Sequence, residues 1–479
     1  MPTEAALLEN APVAEAPGWR GVVADGRAPA LALVLLGVWV VAADALVTAT
    51  ILPSVGAALS GYAWFGWAGS AFLTGLVVAG ASAGWLAERA GLRGALVLAG
   101  LGFAGGCAMS AAAGSIFLFL IGRAVQGAAA GWVTGLVYVA LATLFPGRHL
   151  PRVLALTTSV WGVATFFGPL LGGLFADAGA WRGVFWLFAG QAVLFAAACY
   201  RLVPAESARA EGGRLPVLPL LSLTLGIAAI ASAGLAARAL VAVSLAGLGL
   251  LLLLLTLRLD RARRPGLLPR RAADPAFPLG AAWTVYFATN AAAIGFSLYG
   301  PALLQRSAGL SALEAGYVVA IEAMAWTAAS LSVAGSGPRW RSRFILLGTA
   351  AILAGLTGLT LAGGQLLATA FAAAFIGAGF GLSYSFISQR VIGAFDGAAK
   401  TRGSAAIGLV RNAGGAVGAA LAGIAANMAG FGSGLDAANL AAVAYAAFGI
   451  GVPFALAALL AAARLSRQAA DGAGSAASR

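Results

Sequence analysis

From about residue 30 to about residue 463 the chain is a series of apolar runs of about 20 residues, each ended by a turn-rich or charged break. At 1.5 Å per residue, one such run wound as an α-helix crosses the roughly 30 Å hydrocarbon layer of a bilayer. A backbone surrounded by lipid has to satisfy its own hydrogen bonds, and a helix does so. The breaks delimit fourteen spans, at 31–58, 63–87, 92–113, 115–144, 153–177, 183–203, 216–236, 239–258, 280–304, 312–334, 343–363, 365–389, 403–428 and 438–463. With 61% hydrophobic and only 9% charged residues among 479, too little polar surface exists to coat a water-soluble globule. The expected fold class is an all-α polytopic membrane protein.

A formal charge of +13 invites a nucleic-acid reading. That reading needs basic residues on a soluble face beside base-contacting groups, and here the arginines sit between apolar runs. On a serpentine that starts in the cytoplasm, 24 of the 29 Lys and Arg fall on the cytoplasmic side. Arg182, Arg238 and Arg306 fall opposite, and Arg123 and Arg411 lie inside spans. The basic charge therefore reports orientation by the positive-inside rule, with both termini cytoplasmic, and no nucleic-acid partner is expected. Cys107 and Cys199 lie inside apolar runs, where neither a disulfide framework nor a metal cluster fits.

The longest polar connections, Pro204 to Leu215 and Arg258 to Pro278, isolate a 6 + 2 + 6 arrangement. The expected organisation is a disordered cytoplasmic tail at 1–29, an N-terminal six-helix bundle at 30–203, a two-helix insert with cytoplasmic linkers at 204–279, a C-terminal six-helix bundle at 280–463 and a cytoplasmic tail at 464–479. The insert is almost free of polar residues and is expected to face lipid or other helices. A faint similarity between Arg123-Ala-Val-Gln-Gly127 in the fourth span and Arg411-Asn-Ala-Gly-Gly415 in the thirteenth suggests two related halves. Repeated halves around a site at the bilayer midplane are the expected plan of a secondary transporter.

Ionisable groups deep in a bilayer cost roughly 2.5 to 3.5 kcal/mol each on insertion scales, so those present mark function first. Asp44 lies mid-way along the first span, Arg123 in the fourth, Glu322 mid-way along the tenth and Arg411 in the thirteenth. Asp44 and Glu322 are candidate proton carriers. The plain alternative is that each is ion-paired with Arg123 or Arg411 as a packing contact. Competition between a proton and a cationic solute for one carboxylate gives exchange its simplest mechanism. Helical spacing adds Val40, Thr48 and Ile51 to the Asp44 face and Trp326 one turn beyond Glu322. Tyr286, Asn290 and Ser297 share a face of the ninth span, as do Tyr384 and Ser388 of the twelfth. Thr48, Gln126, Tyr286, Asn290, Trp326, Tyr384 and Arg411 are candidate substrate contacts, with interhelical hydrogen bonding as the alternative for the polar residues of the ninth and twelfth spans.

These residues resemble the major facilitator superfamily, in its branch of fourteen-helix drug:proton antiporters, over nearly the whole chain. Gly84-Trp-Leu-Ala-Glu-Arg-Ala-Gly-Leu-Arg93 looks like the family's cytoplasmic loop motif Gly-x-Leu-Ala-Asp-Arg-x-Gly-Arg-Lys, with Glu88 at the Asp position and Leu92 at the first basic one. Arg123-Ala-Val-Gln126-Gly127 matches Arg-x-x-Gln-Gly, whose arginine is implicated in proton coupling. Gly168-Pro169-Leu-Leu-Gly172-Gly173 looks like the core of the antiporter motif, with Ala164 at the glycine position four residues earlier. Asp44 stands nine residues before Pro53, the spacing of the branch's first-helix signature, from which Ala43, Leu46 and Ala49 depart. Trp181-Arg182-Gly-Val-Phe-Trp186 and the segment from Gln305 to Gly316 resemble the branch before its sixth helix and after its ninth.

The resemblance implies two six-helix bundles plus two central helices, and export of lipophilic or amphipathic small molecules against returning protons. Together with the deep charges it points to proton coupling at Asp44 tuned by Arg123, with Glu322 as a second carrier or cation attractor. It also implies conformational gating by Gly84, Glu88, Arg89, Gly91 and Arg93 and by Gly168, Pro169, Gly172 and Gly173. A proton-coupled importer of the same fold is the alternative within transport. A membrane receptor or scaffold is the alternative outside it. An enzyme is not expected: the lone histidine, His149, lies in a loop, and no metal cluster or Ser-His-acid set stands at one depth. The expected partners are a small-molecule substrate, protons and the lipid bilayer, for a monomer without cofactor or metal. One lysine against 28 arginines, with abundant Ala and Gly, points to a GC-rich genome and a bacterial inner membrane.

Overall fold

The computed structural model describes residues 27–145, 150–205, 216–236, 238–262, 278–333, 336, 340–393 and 397–477. Most of the expected N-terminal tail, His149 and most of both linkers lie outside the described residues. The chain folds as α1 (Ala28–Ala58), α2 (Phe65–Gly80), α3 (Ala83–Ala111), α4 (Ile116–Leu144), α5 (Leu150–Asp177), α6 (Trp181–Leu202), α7 (Val217–Ala233) and α8 (Ala239–Arg261). It continues as α9 (Pro278–Ala308), α10 (Ala312–Val333), α11 (Arg341–Leu361), α12 (Leu366–Gly393), α13 (Gly397–Met428), α14 (Leu440–Gly449) and α15 (Val452–Ala477). Among the described residues thirteen helical stretches are long and apolar enough to cross a membrane, and α7 adds a shorter apolar helix of 17 residues. The protein is an all-α integral membrane protein, as its apolar runs require.

Near the C-terminus the boundaries differ from expectation. The fourteenth span is two helices, because the helix breaks at Ile450 and Gly451, where Gly451 is seated against the Ala292 carbonyl of α9. Residues 464–477, expected as tail, continue α15. Arg464, Leu465, Arg467, Gln468, Ala469 and Ala470 are good helix formers and carry the rod beyond its apolar part.

The packing repeats. α1 lies on α5, α2 on α4, and α3 on both α4 and α6; eight helices later α9 lies on α13, α10 on α12, and α11 on both α12 and α15. The repeat thus relates α4 to α12 and α5 to α13. The similarity between the Arg123 and Arg411 segments, expected to mark the halves, is out of register with it. What corresponds is glycine: Gly168 and Gly172 of α5 seat on α1, as Gly414 and Gly418 of α13 seat on α9.

The two six-helix groups meet along α2–α13 and α5–α10. Successive helices alternate direction, so the turns after α1, α5, α9 and α13 share one side, here the far face; the near face is where α1 begins. Recorded contacts between the groups gather at the far face and at mid-depth. Asp177 closes α5 by accepting from the Ala312 (2.8 Å) and Leu313 (3.3 Å) amides, capping the N-terminus of α10 beside that helix's own Ser311–Glu314 capping box. Asn427 donates to the Ala63 carbonyl at 2.7 Å, and Ser70 to the Ala416 carbonyl at 3.0 Å. Phe65 and Tyr62 pack on Phe431, with ring centroids 4.9 and 5.4 Å apart. This is an arrangement closed at the far face.

Candidate functional site

Asp44, Arg123 and Gln126 come together in the middle of the N-terminal group. Arg123 Nη1 donates to Asp44 Oδ2 at 3.0 Å and to Gln126 Oε1 at 3.1 Å, and Gln126 Nε2 donates to Asp44 Oδ1 at 3.2 Å. All three are buried, at 1%, 3% and 0% exposure. The alternative reading of Asp44 as a paired group describes this geometry, and Arg123 is the partner. The pairing is obligatory in energetic terms, because either charge alone at this depth would be uncompensated.

Small residues make the cluster. A Cβ on Gly127 would overlap the Phe72 carbonyl, so α4 runs against α2 with only hydrogen between them, and the Arg123 guanidinium carbon comes to lie 4.3 Å above the Phe72 ring. A Cβ on Gly106 would stand 2.6 Å from the Gln126 backbone nitrogen, and that close approach of α3 brings Ser110 Oγ within 3.0 Å of Gln126 Oε1 and Cys107 Sγ within 3.0 Å of its Nε2. Phe72, Cys107 and Ser110 were not legible as site residues. Cys107 and Ser110 lie three apart in α3, a spacing that marks one helix face, but nothing pointed that face at Gln126. Thr48 is buried one turn from Asp44, and among the described residues its hydroxyl has no hydrogen-bond partner.

On the near side of this cluster, the same faces of α1 and α4 join α5 around a cavity of about 120 Å³ lined by Gly37, Val41, Thr134, Val137, Leu141 and Trp161, with no charged side chain on its walls.

In the C-terminal group, α9, α10 and α12 bring together most of the other candidates. Tyr384 is the centre: its ring meets those of Tyr286 (5.0 Å), Trp326 (5.2 Å) and Phe380 (5.0 Å), and Trp326 stacks on Phe380 at 5.0 Å. The Tyr384 hydroxyl accepts from Asn290 and pairs with Thr289 Oγ1 at 3.2 Å, while the Tyr286 and Ser388 hydroxyls share a hydrogen bond of 2.5 Å. Thr289 and Phe380 are additions that helical spacing did not single out. Glu322 and Arg411 are half-buried. Among the described residues Glu322 makes no ion pair, so the alternative reading that paired it with an arginine is not what this geometry contains. Removing the central hydroxyl with Tyr384→Phe should cost about 1 kcal/mol, seen as a lower melting temperature of the detergent-solubilised protein.

The Gly84 to Arg93 segment, expected as a loop, is part of α3. The helix is interrupted only at Gly91, whose φ of 68° and ψ of 160° are open to glycine and closed to other residues. Arg89 lies over Trp85 (4.7 Å) and Arg93 over Tyr200 (4.4 Å), while Gly84 and Glu88 are exposed. In the second glycine set, a Cβ on Gly168 or Gly172 would crowd Leu46 or Thr50 of α1. Gly173 instead faces Leu313 of α10, and Pro169 lies beside Gly316 of the same helix. Gly173 and Pro169 therefore sit on the contact between the groups.

Comparison with known proteins agrees with this architecture. Residues 34–419 match the family model described as Major Facilitator Superfamily. A probable multidrug-efflux transporter of Mycobacterium tuberculosis is 29% identical over 416 residues, covering 82% of this chain and 86% of that one. The aspyridones efflux protein of Neocamarosporium betae is 29% identical over 154 residues, 32% of this chain and 27% of that one. Among solved structures, a peptide transporter in complex with alafosfalin superposes with a TM-score of 0.66 at 15% identity, covering 91% of this chain and 95% of that one. A D-xylose-proton symporter does so with a TM-score of 0.61 at 16% identity, over 89% and 96%. The family and these relatives are transporters and not enzymes.

Proposed function

Since this chain belongs to the major facilitator superfamily and is an integral membrane transporter, we propose that it exports lipophilic or amphipathic small molecules in exchange for protons. The near face is then the cytoplasmic face of a bacterial inner membrane, with both termini on that side, in keeping with the 24 basic residues placed there. The transporter works as a monomer, each six-helix group rocking against the other.

The observation that carries the reading is the buried Asp44–Arg123–Gln126 assembly beside an uncharged cavity. Protonation of Asp44 cancels one half of the ion pair and leaves the Arg123 guanidinium without its counter-charge. Such a change favours whichever arrangement gives Arg123 another partner or water, so the proton biases the inward against the outward state. Glu322, beside the rings of Trp326 and Tyr384, attracts the cationic part of a solute or carries a second proton. Tyr286, Asn290 and Arg411 complete that surface. Thr48, whose buried hydroxyl has no partner among the described residues, is the candidate contact from the other group, while Gln126 is fully buried and holds Asp44 and Arg123 instead. Near-face changes at Glu88, Arg89 and Arg93, hinged at Gly91, accompany the swing.

The test uses inside-out vesicles acidified by respiration, a panel of lipophilic cations and neutral drugs, and a dye that reports internal pH. Solute-dependent proton release is expected, and Asp44→Asn should abolish it. Release that persists in the mutant would remove Asp44 from the coupling step and leave Glu322 to be tried. Absence of release with every compound in the unaltered protein would sink the export reading and turn attention to uptake.

A further inference from the structure

The near ends of α11, α12 and α15 are joined at Ser342. Arg390, three residues before the end of α12, donates through Nη2 to Ser342 Oγ at 2.5 Å and through Nη1 to the Leu465 carbonyl of α15 at 3.1 Å. Ser466, the next residue of α15, donates to the Ser342 carbonyl at 3.3 Å. The junction gathers charge. Arg341 and Arg343 flank Ser342, and Arg464 and Arg467 flank Leu465 and Ser466, so five arginines from three helices surround one place. Among the described residues none of the five is ion-paired. Asp396 and Asp471, the acids nearest to them in sequence, lie outside the described side chains.

The positive-inside rule accounts for basic residues on this face, but not for their convergence. Arg341 and Arg343 stand in the first turn of α11, which holds no acid and whose cap residue makes no side-chain hydrogen bond. They add to the positive end of the helix dipole instead of offsetting it. Arg341 is half-buried, and its Nε is closed off from solvent without an acceptor among the described residues. The packing repeat supplies a comparison. At the near ends of α3, α4 and α6, the equivalent place in the N-terminal group, three arginines have Glu88 among them, and two of the three, Arg89 and Arg93, lie over rings. Around Ser342 there are five, and among the described residues only Arg343 lies over a ring, that of Trp340 at 5.0 Å.

We propose that this junction is a binding site for an anionic phospholipid of the near leaflet. Arg390 positions the three helices, and Arg341, Arg343, Arg464 and Arg467 take the headgroup phosphate, whose oxygens match the planar fork of a guanidinium and the free amides at the start of α11. The surroundings select a lipid over a soluble anion. Trp340, exposed at 39%, is a side chain that settles at headgroup level and so puts the arginines at the depth of the phosphates. One turn toward the midplane, Leu347 lies below Arg343 and Leu460 below Arg464, exposed at 56% and 57%, where acyl chains run. The bound lipid offsets the repulsion among like charges and ties α11 to α15. The site rests on neither the direction of transport nor the solute.

The test titrates the full-length, detergent-solubilised protein with dioleoylphosphatidylglycerol or dioleoylphosphatidylcholine and counts bound lipid by native mass spectrometry. Phosphatidylglycerol should bind a hundredfold or more tighter, since each arginine near an anionic lipid contributes about fivefold. Arg464→Gln with Arg467→Gln, both exposed positions, should weaken it by roughly twentyfold. Arg343→Gln, about fivefold weaker, serves if that protein does not accumulate. Arg258→Gln with Arg261→Gln, which removes the same charge from the end of α8, should leave it unchanged. Phosphatidylglycerol should also raise the melting temperature of the unaltered protein, and glycerophosphate should not. Equal binding of the two lipids, or an equal loss in the α8 control, would overturn the site. Glycerophosphate that protects as well as the lipid would overturn the lipid and leave a soluble anion. A preference that appears only in Asp396→Asn with Asp471→Asn would show the chain's own acids filling the junction, and would overturn the proposal as well.

Discussion

Arg123→Ala should be the most damaging single substitution in the N-terminal group, costing about 3–5 kcal/mol of stability and all transport. Removing the guanidinium leaves the Asp44 carboxylate at 1% exposure with only the Gln126 amide, 3.2 Å away, to oppose its charge. It also frees Gln126 Oε1 from one of its two donors and uncovers the Phe72 ring. Arg123→Lys should recover only part of the loss, because one ammonium cannot reach Asp44 and Gln126 together while lying flat on Phe72. The decisive comparison is a double substitution. If an uncompensated charge is the cause, Arg123→Gln combined with Asp44→Asn should melt higher than Arg123→Gln alone, although it lacks both native groups. Thermal unfolding of the solubilised proteins, with the amount reaching the membrane, measures this. A double variant no more stable than Arg123→Gln alone would mean that the pair does not hold α1 to α4.

What the sequence made legible follows from how the signal arises. Spans are written in runs of some 20 apolar residues, so the helices and their order were readable, and so was each deep charge, because a single Asp or Arg stands out against Ala, Leu and Gly. Which charge meets which was not readable. Asp44 had two arginines as possible partners, and the choice is made by the close approach of α4 to α2 at Gly127, one glycine among 67. The hydroxyl and thiol around Gln126 were hidden for the same reason. A polar residue that meets another helix looks like any small residue until the crossing is known. Sequence similarity misled once, where Arg123 and Arg411 suggested equivalent helices and the packing relates α4 to α12. Gly84 to Arg93 looked like a loop because it is charged. It is helical on both sides of Gly91, where the chain kinks between two helical pieces.

Gly173→Val should open the far face. In the closed arrangement a Cβ at this position would stand 2.6 Å from Leu313 Cβ and 2.8 Å from the Leu313 nitrogen, which is backbone and cannot rotate away. That same amide donates to Asp177, so the wedge would also pull the cap from the start of α10. Forcing extra carbon into a packed contact costs about 1–3 kcal/mol, and the cost falls on the closed state alone, since parting α5 from α10 removes the crowding. At about 1.4 kcal/mol per tenfold, the balance between states should move by roughly fivefold to a hundredfold toward an open far face. Asp177→Ala, which removes the cap and inserts nothing, should move it the same way by about 1 kcal/mol. Spin labels at Ala178 and Ser433, exposed on the far face of opposite groups, would read the shift as longer separations in a pulsed dipolar experiment. Unchanged separations in a folded Gly173→Val protein would show that the contact yields locally, and that glycine there serves packing and not the swing. Longer separations together with lost transport would place the α5–α10 contact on the working cycle, because a protein held open at one face cannot load from the other.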